Sequence, residues 1–334
     1  MKLSHIAVII PCSRCTDTLP QAVQSVLDGA PSDLQLLLVE DGSPDATGTL
    51  CDTLAAGDPR ITALHRPNGG ASAARNTGLE HTDDAEWVMF VDCDDALLPG
   101  LWTELAVSDP APGCGALLFG YRCDSGATSA GQLPSGNFAD LASLGAALSP
   151  LLFEVGILAS PCMKLYRRSD IGSLRFDESL QINEDVLFNL QFLQKNSAIY
   201  CLNGVYYNQH DLILGSLSRR LRGDLLQAER KTRPQLEKLL QQNGIEPASY
   251  TQKSRVRACI NQYGLLTGRK GTMPFARRRV LFAEILADED ARCTLLAVLR
   301  SDPNRLLALP YRLGVSCRFP GFLAAYTQFK QHFL

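Results

Sequence analysis

The first hundred residues alternate between short apolar runs and amphipathic stretches. "HIAVIIP" is β-branched, of strand length and bounded by His5 and Pro11, so it predicts a buried strand. After it, Thr18 and Gln21 form a capping-box pattern, and Leu19, Val23, Val26 and Leu27 fall on one helical face. "LQLLLVEDGS" reads as a second buried strand ending on acids and a turn, followed by a helix from Thr47 to Ala56. "ITALH" is a third strand, "RPNGG" a turn, "ASAARNTGLE" a helix of small residues and "EWVMFVD" a fourth strand. Strands alternating with helices at this spacing predict βαβ units, hence an α/β, Rossmann-like fold. Its sheet is mostly parallel and flanked by helices, with right-handed crossovers. Ligands in such sheets bind beyond the carboxyl ends of the strands. Pro11 to Cys15, Glu40 to Ser43, Arg66 to Gly70 and Asp92 to Asp95 are therefore expected to share one edge.

The middle of the chain is less regular. "PSGNFADLASLGAALSPLLF" predicts loop then helix, the segment ending "INEDVLFNLQFLQ" closes on a helix with Val186, Leu190 and Leu193 on one face, and "AIYCLNGVYYNQH" reads as a strand or hairpin. From about Gly223 the pattern is helical. This divides the chain into an α/β domain over 1–220 and a helical C-terminal region over 221–334.

Composition narrows the function classes. Among 334 residues, 46% are hydrophobic and 20% charged, which are globular values. A formal net charge of -3 offers no basic excess to neutralise phosphates, which argues against a nucleic-acid partner. The longest early apolar stretch, Ile6 to Ile10, is too short for a secretory signal or a membrane span, so a cytoplasmic protein is expected. The charge is uneven: over 291–334, six basic residues (Arg292, Arg300, Arg305, Arg312, Arg318, Lys330) face one acid, Asp302. Leu and Phe interleaved with this charge suit an anionic membrane surface, the alternative being packing on the catalytic domain or on another subunit. The 11 cysteines follow no repeating spacing, which fits reduced thiols. Cys12 and Cys15 alone have a CxxC spacing, placed where a redox motif would sit; a zinc site would need a second ligand pair.

Three acids crowd the end of the fourth strand. Asp92 and Asp94, one residue apart, can turn toward a common hard cation, and carboxylates suit Mg²⁺ or Mn²⁺ shared with phosphate; the alternative is a solvated acidic loop. Asp41 reads either as a turn residue or as an acceptor for a nucleobase N–H. The double glycine of "RPNGG" precedes a helix, an arrangement that can hold phosphate, although it is neither a Walker loop nor GxGxxG. In "INED", Asn183 is a candidate N-cap, with Glu184 and Asp185 complementing the helix dipole.

Taken in order, "VIIPCSRCTDTLPQAVQSVLDG", "LLLVEDGSPDAT", "NGGASAARNTGLE", "WVMFVDCDDALLPG", "SPCMKLYRRSDI", "RFDESLQINEDVLFNLQF" and "YYNQH" resemble the family 2 glycosyltransferases of GT-A fold, over about residues 4 to 220. The resemblance implies a mixed sheet and an inverting transferase that uses a nucleotide-sugar donor, a UDP-sugar, and a divalent metal. The acceptor would be a glycan or a lipid-linked hydroxyl. It further implies that Asp94, helped by Asp92, binds Mn²⁺ or Mg²⁺. Asp41 would hold the uracil N–H, Pro11 would place the base through its backbone, and Asn68, Gly70 and Arg75 would line the nucleotide side. Asp185 would be the general base, with Glu184 beside it. The chain departs from the family at "PCSRC", which lacks a stacking aromatic, at Cys162, where Trp is frequent, and at Asn208, where Arg is frequent. Charge near the diphosphate would then come from His210, Arg219 or Arg220, and Lys164 would face donor or acceptor. Three other readings compete: a sugar-phosphate nucleotidyltransferase, whose Gly-rich loop after the first strand is missing here; a thiol oxidoreductase using Cys12 and Cys15; and a scaffold that has lost catalysis.

Overall fold

Strand β1 (Ile6–Cys12) runs through the middle of the parallel half of the sheet, with Ile6 to Ile10 buried, as its β-branched composition requires. The computed structural model describes residues 5–147, 151, 156–180, 182–195, 198–210, 225–248, 250–252, 254–255, 258, 266, 274–301 and 305–333. Helix α1 (Leu19–Leu27) leads to β2 (Gln35–Asp41), α2 (Thr47–Gly57) to β3 (Ile61–Arg66), and α3 (Ala71–Leu79) to β4 (Trp87–Phe90). The capping box expected at α1 does not form. Thr18 turns its hydroxyl back to Cys15 O at 3.5 Å, and Pro20 in the first turn has no N–H to satisfy.

These four strands lie in the order β3-β2-β1-β4 and all are parallel. The chain steps outward from β1 to β3 and then returns across β1 to β4. Strand order reverses between β1 and β4, and the crevice beyond their carboxyl ends is where a ligand has room to enter. Small residues let α3 lie close on this sheet: a Cβ on Gly78 would stand 2.5 Å from Ile9 Cγ2.

Beyond β4 the sheet becomes mixed. After β5 (Ala96–Leu97) and helix α4 (Leu101–Val107) come β6 (Cys114–Cys123), β7 (Gly136–Phe138), β8 (Lys164–Arg167) and β9 (Ala198–Gln209). β8 inserts antiparallel between β4 and β6, β9 pairs parallel with β6, and β5 and β7 pair antiparallel with β9. "AIYCLNGVYYNQ" is thus one long strand. The stretch expected as loop then helix holds β7 and a 3₁₀ turn, Ala142–Ala147; residues 148–150 and 152–155 lie outside the described ones.

Helix α5 (Glu184–Lys195) is seated by an aromatic cluster. Phe188 stacks on Phe176 at 4.0 Å with 5° between the rings and meets Phe90 and Tyr166 edge-on, and Phe192 meets Tyr166 edge-on at 5.0 Å. Those rings join α5 to β4 and β8, so its first turn is carried to the sheet edge.

By contacts, the chain divides into two compact units, 1–216 with 238–245, and 217–237 with 246–334. Among the described residues, the second contains α6 (Leu225–Gln242) up to residue 237, α7 (Phe275–Ala287), α8 (Glu289–Ser301), α9 (Arg305–Ser316) and α10 (Pro320–Phe333). It has its own core, built on Phe282, Ile285, Leu295, Tyr311, Val315 and Leu323. No helix among the described residues is long and apolar enough to cross a membrane.

Candidate active site

Three groups of polar side chains gather at the carboxyl ends of the parallel strands. In the first, Asp41 closes β2, buried, and both carboxylate oxygens are engaged. Oδ1 accepts from Gly69 N at 2.9 Å and from Arg66, and Oδ2 accepts from Gly70 N at 2.7 Å. Asn68 Nδ2 donates to Asp41 O at 2.8 Å. The turn requires its glycines. Gly70 takes φ 88°, while Gly42 takes φ 57° and a Cβ there would stand 2.6 Å from Asn68 N. Asp41 therefore shapes the turn that leads into α3. Pro11 lies at the end of β1 in register with Val39.

The second group centres on Arg75, which α3 carries into the interior. Its Nη1 donates to Asp185 Oδ1 and its Nη2 to Asp92 Oδ1, each at 3.0 Å. The Arg75 side chain is 6% exposed, against 28% for Asp185 and 38% for Asp92, so the cation is buried and its partners reach solvent. Burial opposes the guanidinium charge, but Asp185 and Asp92 outweigh it and raise the Arg75 pKa above its usual range. The guanidinium also lies 5.5 Å from the Phe176 ring centroid. At Asp185, burial pushes the carboxyl up to about 7, with Arg75 working against that shift and Glu184 and Asp92 adding to it. Asn183 stands before α5 with φ 65°, and its carbonyl accepts from Leu187 N at 2.9 Å, the first turn of the helix. The N-cap position and the placement of Glu184 and Asp185 in the first turn thus coexist.

The third group is the remainder of the strand-end acids. Asp95 is buried, and its Oδ2 accepts from Tyr207 Oη at 2.7 Å and its Oδ1 from His210 N at 2.9 Å. Burial, with Asp92 next, pushes its carboxyl up to about 8. Tyr207 also accepts from Asp92 N at 3.3 Å, so one buried phenol braces the turn at both ends. Burial and the neighbouring Asp92 raise the Asp94 carboxyl as well, while His210 opposes the shift. Asp94, Asp95 and His210 line a small pocket with Thr18 and Gln21. The His210 ring is held by Asp124 at 2.8 Å, and Asn208 fits the same network through Arg122 Nε at 2.9 Å. A larger cleft lined by Val280, Ala283, Ala287 and Pro320 belongs to the helical unit and holds none of this chemistry. Arg219 and Arg220 lie outside the described residues.

Two readings change with the structure in view. Lys164 does not face a donor or acceptor: it is fully buried and bonded to backbone carbonyls of Ile157, Ser160 and Cys162. Cys12 and Cys15 are both buried, whereas disulfide exchange needs an accessible thiolate. Sequence reasoning also missed Tyr207 and Asn76. Asn76 pins the segment before α5, accepting from Phe176 N and donating to Phe176 O and Glu178, each at 2.9 Å. The signal for Tyr207 was its position three residues before His210 in a strand whose end meets the acids.

The family model described as glycosyl transferase family 2 matches residues 7–174, half of the chain. The chain belongs to glycosyl transferase family 2. One relative, the uncharacterized glycosyltransferase EpsJ of Bacillus subtilis (strain 168), is 28% identical over 207 residues. That match covers 60% of this chain and 60% of EpsJ, so the chain spans less than two thirds of that relative's length. Among solved structures, S. aureus TarS 1-349 in complex with UDP-GlcNAc is similar with a TM-score of 0.58 at 17% identity, over 99% of this chain and 92% of that one. Mannosyltransferase PcManGT from Pyrobaculum calidifontis, in complex with GDP-Man and Mn2+, is similar with a TM-score of 0.52 at 15% identity, over 100% and 88%. At these identities the likeness shows the fold, GT-A, as the strand pattern of this family 2 chain predicts.

Arg75→Met keeps the bulk of the buried side chain but removes the cation between two acids. Its unfolding free energy is expected to fall by about 2–4 kcal/mol, as for a buried pair that loses one partner, read by urea denaturation at pH 7.5. A change within about 0.5 kcal/mol, the size seen for ordinary surface substitutions, would show that the two ion pairs carry no stability.

Proposed function

We propose that this family 2 protein moves a sugar from a nucleoside-diphosphate donor, a UDP-sugar, to a hydroxyl of a glycan or lipid-linked acceptor with inversion, in cell-surface polysaccharide or glycoconjugate synthesis. One observation carries the reading: a single buried guanidinium, Arg75, holds Asp92 of the strand-end acids and Asp185 of α5. Direct displacement needs a base at the attacking hydroxyl and charge stabilisation at the departing diphosphate, held at a fixed separation. Arg75 supplies that fixed link.

Asp185 is the base in this reading. A carboxylate with its pKa moved to about 7 is poised to take a proton near neutral pH, and Glu184 beside it contributes to the shift. Asp94, with the Asp92 oxygen that Arg75 does not bind, would hold Mg²⁺ or Mn²⁺. The donor set fits such an ion. Among the described residues no three His, Cys, Asp or Glu side chains gather into a cage, and two carboxylates suit an ion that takes its remaining ligands from phosphate and water. When bound, the metal supplies Lewis-acid stabilisation of the diphosphate leaving group. On the nucleotide side, Pro11 would present its backbone to the base, Asp41 would offer the acceptor capacity left on Oδ2, and Asn68, Gly70 and Arg75 would line the nucleotide, with His210 near the phosphates. The TarS complex with UDP-GlcNAc and the PcManGT complex with GDP-Man and Mn2+ support a nucleotide-sugar donor and a divalent metal. Family membership weighs against a nucleotidyltransferase or a thiol oxidoreductase.

The α/β domain over 1–220 carries this chemistry, and the 221–334 region serves contacts outside it. Leu309, Leu313, Phe319 and Phe322 are exposed in a segment rich in arginine, which suits the anionic inner face of the cell membrane and a cytoplasmic enzyme bound there peripherally. Homo-oligomer formation is the other use of such a surface. The protein is expected to sediment with phosphatidylglycerol vesicles and not with phosphatidylcholine vesicles. Sedimentation with neither would remove the membrane role, and equal sedimentation with both would remove the part assigned to anionic lipid.

A screen of UDP-sugars for metal-dependent hydrolysis tests the function itself. Asp94→Ala is expected to abolish the Mn²⁺-dependent part of UDP binding in calorimetry; unchanged binding would move the metal elsewhere. Asp185→Asn is expected to retain UDP binding and lose about 10²- to 10⁴-fold in turnover. Because the base must be deprotonated, kcat/KM of the parent should fall as pH drops through about 7 and level off above it. A flat profile between pH 5.5 and 8.5 would exclude Asp185 from that role.

A further inference from the structure

Lys164 opens β8 and takes no part in the reaction above, yet its surroundings tie it to the site. Its Nζ donates to Ile157 O at 2.6 Å, to Cys162 O at 2.9 Å and to Ser160 O. The charged amine has three protons, and here all three go to carbonyls of one segment, 157–163, while burial pushes the Lys164 pKa down to about 7, against the opposing charge of Cys162 and Asp185. Three carbonyls and no carboxylate make this a backbone clamp and not an ion pair. Asn189, fully buried on α5, grips the same segment from the other side. Its Nδ2 donates to Leu158 O at 2.9 Å and Ser160 O at 2.8 Å, and the Tyr166 hydroxyl donates to its Oδ1 at 2.6 Å. Ser160 O therefore accepts from both Lys164 and Asn189.

The segment meets the active site in two ways. Asn189 follows Asp185 by four residues on α5, so the two side chains leave the same helix face one turn apart. Holding Asn189 fixes the rotation of the helix and with it the direction of the Asp185 carboxylate. Cys162, buried within the segment, lies close to Asp92, Arg75, Asp95 and Tyr207, the groups around the site. Met163, between Cys162 and Lys164, takes φ 63°, a left-handed conformation that a side-chain-bearing residue keeps only when its surroundings over-determine it.

We propose that Lys164 is a positioning residue for transfer: its ammonium, together with Asn189, clamps segment 157–163 between β8 and α5 and so sets where Asp185 stands relative to Arg75 and Asp92. This rests on the reading of Asp185 as the base. The charged groups that face Asp185 are Arg75 from α3, Asp92 from the turn after β4, Glu184 on its own helix and Lys164 from β8. Below about pH 7, where Lys164 is charged, its removal leaves the Asp185 carboxylate harder to ionise.

Lys164→Met removes the charge and the three donors at nearly constant bulk, and Asn189→Ala cuts the grip from the helix side. Each is assayed for hydrolysis of UDP-GlcNAc, UDP-glucose and UDP-galactose, using the donor turned over fastest, with turnover counted per UDP-binding site. UDP affinity and donor KM are expected to stay at the parental values while kcat falls about a hundredfold, the usual cost of a misplaced group. The acid limb of the Lys164→Met pH profile should move to higher pH. If Lys164→Met does not fold, Asn189→Ala decides through the same kcat and KM comparison. Parental kcat per binding site in a folded variant, with only the melting temperature lowered, would overturn the inference, since that is the behaviour of a purely structural residue. Asp185→Asn separates the two claims. If it is inactive while Lys164→Met is parental, positioning alone fails; if it turns over at the parental rate, the base reading fails and the inference with it.

Discussion

Arg75 carries a charge where charge is expensive. An isolated guanidinium would not remain in that interior, and it does so because Asp92 and Asp185 each offer a carboxylate oxygen at 3.0 Å. The arrangement is asymmetric. The cation is buried and the anions reach solvent, so the pairs hold the edges of a crevice in position from below. Helix α3 and the turn after β4 follow one another in the chain, whereas Asp185 on α5 is 110 residues from Arg75, and all three elements meet at this residue. Asn76, next along α3, repeats the logic without charge by pinning the backbone that leads into α5.

The three acids after β4 are held in three different ways. Asp92 takes Arg75, and Asp95 takes the Tyr207 hydroxyl and the His210 amide. At Asp94, burial and its neighbours' charge push the carboxyl upward, and it faces a small pocket with His210. A cation beside Asp94 would offset both the burial and the neighbouring negative charge. A divalent metal and diphosphate bound there, as proposed above, would answer that demand.

The parallel half of the sheet was legible because a strand buried on both faces needs a continuous apolar run, and each of β1, β2 and β4 has one. The alternation with helices then leaves few topologies, and the structure selects the order β3-β2-β1-β4 among them. The other half was not legible. β6 is apolar enough to be a strand, yet nothing local specifies that β8 lies between β4 and β6 running the opposite way, because that pairing joins residues about fifty and eighty positions apart. Lys164 was misread for a related reason: a lysine is ordinarily solvated or ligand-facing, and the carbonyls that bury this one come from the fold of its own loop.

The sequence by itself determined which chemical groups are available and at which strand ends they fall, since the side-chain period and the βαβ rhythm are local properties of the chain. It placed Asp41, Asn68, Gly70, Asp92 and Asp94 at one edge. Only the tertiary structure decided how they are used against one another: that Asp41 is engaged by the Gly69–Gly70 turn, that Arg75 joins Asp92 to Asp185, and that Tyr207 braces two acids from a strand more than a hundred residues away. Those contacts depend on burial and on long-range packing, and both come into being only when the chain has folded.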